Sequence, residues 1–179
     1  MANQRAQIVM SEAEIADFLT EQRIATLATV GPGGHPHLVA MWYAVIDGRV
    51  CFETKVKSQK VVNIRRNPAV TCSVEAGLTY DGLRGIAIEG TAVIRDDAEA
   101  IHRVGVSVWE RYNGPYTEEQ APLVAAMMNK RVVIEIVPQR VRSWDHRKLG
   151  LPQLPLSGST AAAVVEQARQ ITAAADTVS

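Results

Sequence analysis

Residues 35–54 read HPHLVAMWYAVI, then Asp47-Gly48, then RVCFET. Two runs rich in β-branched and aromatic residues are joined by an Asp-Gly pair, a strong signal for a tight hairpin, because its central residues need positive φ. The segment therefore predicts one long strand over 35–46 and a returning partner over 49–54. Further strands follow from the same pattern: IATLATV (24–30), AVTCSVEA (69–76), RGIAIEGTAVIRD (84–96) and RVVIEIVPQRVRSW (131–144). GPGG at 31–34 supplies turn chemistry before the hairpin. Gly90 predicts a bulge or bend in its strand, and Pro138 an irregularity or an edge. Antiparallel strands in such density escape exposed edges by closing on themselves. The expected fold is mainly β with peripheral helices, built on a small antiparallel β-barrel.

The helices are fewer. SEAEIADFLTEQ (11–22) carries Ser11 and Glu14 at capping-box spacing, with Ile15, Phe18 and Leu19 on one face. Residues 97–112 and 117–129 also read as helices. A short helix over 59–67, QKVVNIRRN, has Ser58 at its N-cap position and ends at Asn67-Pro68. After Asp145 the texture changes. Residues 150–160 are linker-like, and 161–175 form an alanine-rich helical pattern. The division is thus a main domain over 1–149 and a linker with a C-terminal helix over 150–179.

Charge narrows the function. The chain carries 19 Lys+Arg against 19 Asp+Glu, which gives no reason to expect nucleic-acid binding. Yet residues 55–68, KVKSQKVVNIRRNP, concentrate Lys55, Lys57, Lys60, Arg65 and Arg66. A strand ending at Thr54 and a helix starting near Ser58 leave free backbone N–H groups in the first helical turn, a natural anion site. Thr54 and Ser58 add hydroxyls, and Lys60 a point charge for a phosphate. Spacing alone does not separate this from a solvated face of surface lysines. Asn63 and Arg66 are expected to serve the helix and its surface. Glu53 is expected to point outward and to pair with a lysine.

Other residues read more simply. Cys51 and Cys72 lie in apolar runs, as small buried hydrophobes, and a reducing cytoplasm is the expected setting. No apolar run approaches a membrane span, and no secretory signal is visible in the first thirty residues. His35 and His37 lack further ligands at metal-site spacing and are expected at the surface. Trp42 and Tyr43, adjacent on a strand, should face opposite ways. Trp109 should pack its helix on the barrel.

The run ATLATVGPGGHPHLVAMWYAVIDGRVCFETKVKSQKVVNIRRNPAVTCSVE, continued by YDGLRGIAIEGTA and RVVIEIVPQRVRSWDHRKLG, resembles the split β-barrel flavin and deazaflavin oxidoreductases related to pyridoxamine 5′-phosphate oxidase. The resemblance covers residues 11–150. It implies a six-stranded antiparallel split barrel and a homodimer with two cofactor sites at the subunit interface. It also implies that Thr54, Ser58, Gln59 and Lys60 hold the cofactor phosphate. The backbone of Leu38, Val39, Ala40, Met41 and Trp42 would run along the ring system, and Trp144 and Arg147 of the partner subunit would close over it.

Two departures matter. Gln59-Lys60 stands where the oxidases of vitamin B6 carry an Arg-Lys pair, and the chain ends its barrel with WDHRKLGLPQLP instead of their arginine-leucine-x-proline. The likeness is stronger to the branch that uses the deazaflavin coenzyme F-420. That coenzyme has a phospholactyl-oligoglutamate tail, which Lys55 and Lys57 would suit. FMN is the alternative cofactor, and a non-catalytic module for a cofactor or haem-like ligand is a third reading. The implied reaction is hydride transfer to a conjugated C=C or C=N bond of a small molecule, with Tyr43, Tyr80 and His146 as candidate proton donors.

Overall fold

The predicted strand over 35–46 is two strands with a corner between them. The computed structural model describes residues 4–153 together with 162, 165 and 166. In it, β1 (Ala25–Val30) pairs with β2 (Pro36–Met41), while β3 (Ala44–Ile46) pairs with β4 (Arg49–Lys55). Trp42 and Tyr43 belong to neither strand. β5 (Ala69–Ala76), β6 (Arg84–Arg95) and β7 (Arg131–Asp145) complete an antiparallel sheet in the order β2-β1-β5-β6-β7-β4-β3.

That order closes the barrel. β2 and β3 lie at opposite ends of the sheet, yet Met41 and Ala44 are joined by only Trp42 and Tyr43. Three peptide steps reach at most ~11 Å, whereas seven flat strands would hold their outer edges roughly 29 Å apart at the usual spacing. The sheet must therefore curl. The seventh strand is the expected hairpin strand broken at its corner, and the architecture is the expected barrel.

The inward face of the sheet, with Leu27, Phe52, Val74, Ile86, Ile134 and Ile136 all buried, forms the core. α2 (Glu12–Glu21) adds Phe18 and Leu19 to it, behind the capping box of Ser11 and Glu14. It follows α1 (Gln4–Gln7). α3 (Gln59–Arg66) adds Val61 and Ile64. A second, outer cluster joins Cys51 and Val133 of the sheet to Val104 and Val108 of α4 (Ala98–Tyr112). α5 (Ala121–Met128), preceded by a 3-10 turn at Glu118–Gln120, packs on α4. Both cysteines are buried, and burial pushes each thiol up to about 12.

The irregular positions fall where expected. The β6–β7 register shifts between Glu89 and Gly90, so Gly90 faces Pro138 while Glu89 faces Arg140. A Cβ on Gly90 would stand 2.2 Å from the Val137 carbonyl oxygen, so only glycine fits the bulge. No described helix is long and apolar enough to cross a membrane. The alanine-rich pattern over 161–175 lies almost wholly outside the described residues.

Candidate functional site

β4 ends at Lys55, and α3 begins at Gln59 after Ser58. Ser58 occupies the N-cap with extended backbone (φ −67°, ψ 151°), but its side chain makes no capping hydrogen bond. Instead the Thr54 hydroxyl donates to Ser58 Oγ at 3.3 Å, and the Lys60 ammonium donates to Thr54 Oγ1 at 3.1 Å. A helix start whose natural cap is turned aside keeps its leading N–H groups for another acceptor. Thr54 is buried and Lys60 half-buried, so a hydroxyl pair, a cation and open backbone donors meet in a partly dry corner. Burial lowers the pKa of Lys60; Glu53 opposes that shift, and Arg131 adds to it. This donor set suits a phosphate, whose oxygens accept what the four groups offer.

Gln59 is turned along the helix, its amide donating to Asn63 Oδ1 at 2.8 Å. Asn63 is not a surface residue. It is fully buried and donates to Thr29 Oγ1 at 3.0 Å, tying α3 to β1 and so fixing where the helix start points. Arg66 is exposed as expected and donates to the Val30 carbonyl. Lys55 and Lys57 are exposed; the Lys55 ammonium donates to the Asn129 carbonyl at 2.9 Å.

Glu53 points outward as expected, but its partner is Arg131, not a lysine. Arg131 opens β7 directly opposite Lys55, and its Nε donates to the Met127 carbonyl at 2.8 Å. Sequence reasoning missed Arg131 because it lies far along the chain and only the β4–β7 register brings it here. An arginine leading a strand was the sole signal.

The segment expected to run along the ring system lies on an edge. Among the described residues β2 pairs only with β1, so the backbone of its other side is free of the sheet. Leu38 (63% exposed) and Ala40 face outward, while Val39 and Met41 are turned toward the barrel. Trp42 is half-exposed and stacks on Tyr112, ring centroids 4.2 Å apart and nearly parallel. Tyr43 is buried: its hydroxyl donates to the Leu19 and Gln22 carbonyls, and burial pushes it up to about 12. It therefore anchors the corner, with its hydroxyl proton engaged by the end of the preceding helix. The Tyr112 hydroxyl accepts from the Tyr43 backbone N–H at 3.0 Å, bracing the same corner. His37 faces inward opposite Thr29, half-buried, contrary to the surface position expected of it, and its Nδ1 is buried without a hydrogen bond. His35 is exposed, and Trp109 is half-buried on α4. Among the described residues no group of His, Cys, Asp or Glu forms a metal site.

Trp144 and Arg147 are not brought to Lys60 within one chain. Arg131 and Trp144 lie near opposite ends of the fifteen-residue β7, some ~40 Å apart along the strand at the usual rise. Trp144 lies across from Gly85, where a Cβ would come within 2.4 Å of its ring. Arg147 forks onto the buried Asp145, and this pairing holds the Asp145 carboxyl below its usual range. His146 Nδ1 lies 2.7 Å from the Tyr80 carbonyl, the two rings 4.5 Å apart, so these two proton-donor candidates share this end of the molecule.

Comparison with known proteins identifies the family. Residues 11–145 match the family model described as pyridoxamine 5′-phosphate oxidase. The chain is 65% identical to a conserved hypothetical protein from Mycobacterium tuberculosis whose crystal structure superposes with a TM-score of 0.86, covering 88% of this chain and 98% of that one. It is 31% identical to a solved F420 reductase, with a TM-score of 0.53 over 70% of this chain and 93% of the reductase. An F420H(2)-dependent biliverdin reductase of M. tuberculosis (strain CDC 1551 / Oshkosh) is 28% identical over 127 residues, 69% of this chain and 81% of the relative. The chain belongs to the pyridoxamine 5′-phosphate oxidase family of split β-barrels, on the branch that includes F420-dependent reductases.

Proposed function

We propose that the protein is a reductase that binds the deazaflavin coenzyme F-420 and directs its hydride to a conjugated C=C or C=N bond of a small molecule. The observation that carries this reading is the uncapped start of α3, with Thr54, Ser58 and Lys60 gathered around open N–H groups. The names of the F420-using relatives support the choice of coenzyme.

The coenzyme supplies the hydride, and the protein supplies position, dryness and electrostatics. Thr54, Ser58, Lys60 and the first-turn N–H groups would hold the first phosphate. Lys55 and Lys57 extend the positive surface toward the tail. The free edge of β2, from Leu38 to Trp42, would lie along the ring system and fix which face meets the substrate. Trp144 and Arg147 would reach the site only from a second copy, so the working unit is a homodimer. Its setting is the cytoplasm.

The direct test supplies the reduced deazaflavin with biliverdin, the acceptor in the relative's name, and with simpler conjugated acceptors, and follows oxidation of the coenzyme by absorbance. Acceptor-dependent oxidation supports the reading. A purified protein that is yellow with tightly held FMN, and inert with the deazaflavin, would favour the FMN alternative.

A further inference from the structure

Glu53 is an odd neighbour for a phosphate. It immediately precedes Thr54, and its side chain is only 13% exposed. It is ion-paired with Arg131, which stands across from Lys55 at the start of β7. The Arg131 guanidinium is in turn fixed by the Met127 carbonyl. Glu53 and Arg131 form a largely buried charge pair at the residue next to Thr54. The pair must be read together with Lys60, whose ammonium lies on the Thr54 hydroxyl and feels both charges.

The two candidate coenzymes differ at the atom group this corner would meet. The FMN phosphate is a monoester and carries a charge near −2 at neutral pH, its second proton leaving near pH 6. The first phosphate of the deazaflavin coenzyme is a diester, with one negative charge. We propose that Glu53 is a specificity-determining residue: by neutralising Arg131 it leaves the Thr54–Ser58 hydroxyls facing the single charge of Lys60, which matches a phosphodiester and undercompensates a monoester dianion. This deepens the cofactor assignment above and rests on it.

The test titrates wild type, Glu53→Gln, Arg131→Gln, the double variant and Lys60→Met with the deazaflavin coenzyme and with FMN, following fluorescence at fixed ionic strength. Glu53→Gln keeps an amide oxygen for Arg131 and frees one positive charge. It should shift the affinity ratio toward FMN by about tenfold, the scale of one nearby unit charge. Arg131→Gln should shift the ratio toward the deazaflavin, and the double variant should return it close to wild type. The opposite signs separate charge from damage, because a folding defect moves both single variants the same way. If Glu53→Gln does not fold, Arg131→Gln carries the test alone with its own predicted sign. An unchanged ratio, or shifts of one sign in both single variants, overturns the proposal. If Lys60→Met leaves both affinities untouched, the phosphate assignment itself fails.

Discussion

Lys60, the proposed phosphate residue, shows what a half-buried charge costs a protein. Its ammonium is half-buried, and burial opposes its charge. Lys60→Met keeps the aliphatic stem and removes the charge. The melting temperature of the cofactor-free variant should equal or exceed that of wild type. Its cofactor affinity should fall by roughly 1–3 kcal/mol, the scale of a charge-assisted hydrogen bond. Calorimetry and fluorescence titration on the same samples check both halves. Asp145 carries the opposite sign. Its carboxyl, buried under Arg147, titrates below the ordinary carboxylate range in the folded protein. The stability it adds is complete above the ordinary value of about 4 and is lost as the pH falls through the lower folded value. Asp145→Asn should therefore melt below wild type at pH 7, and the gap should close below about pH 4. At this scale the sequence was most legible where chemistry is local. Thr54, Ser58 and Lys60 meet because a strand and a helix adjoin. Arg131 and the inward turn of Asn63 depend on register and packing, which no short segment encodes.

Elements were legible wherever a turn residue stood beside a clear period. The Asp47-Gly48 hairpin, the capping box of α2 and the bulge at Gly90 all formed where the residues called for them. The break at Trp42-Tyr43 was not legible, since the apolar run over 38–46 continues through it without a glycine or a proline. Its cause is tertiary: the barrel closes there, and Tyr43 turns inward to bond the end of α2. At the bulge, Gly90→Ala would drive a Cβ onto the Val137 carbonyl. It should destabilise the protein by roughly 1–3 kcal/mol, the usual cost of overpacking. Urea denaturation with an unchanged m-value checks this, and a silent substitution would mean that the β6–β7 register slips at no cost.

At the scale of the whole molecule, the proposed site draws on two copies of the chain. The proposed phosphate corner and Trp144 stand near opposite ends of β7. Two-fold pairing is the closed way to bring them together. Light scattering at micromolar concentration should give twice the 19.5 kDa chain mass, and a monomer would remove Trp144 and Arg147 from the site. Salt reports the tail. Exposed Lys55 and Lys57 are screened over roughly 8–10 Å at physiological ionic strength, while the half-buried Lys60 is screened less. Deazaflavin affinity should thus fall more steeply with salt than FMN affinity, and replacing Lys55 and Lys57 together by alanine should remove the difference. The most direct measurement is the paired fluorescence titration of the cofactor-free protein with F-420 and with FMN. The account predicts tighter binding of F-420, weakened by Lys60→Met. Tighter binding of FMN, or F-420 binding that ignores Lys60, would contradict it.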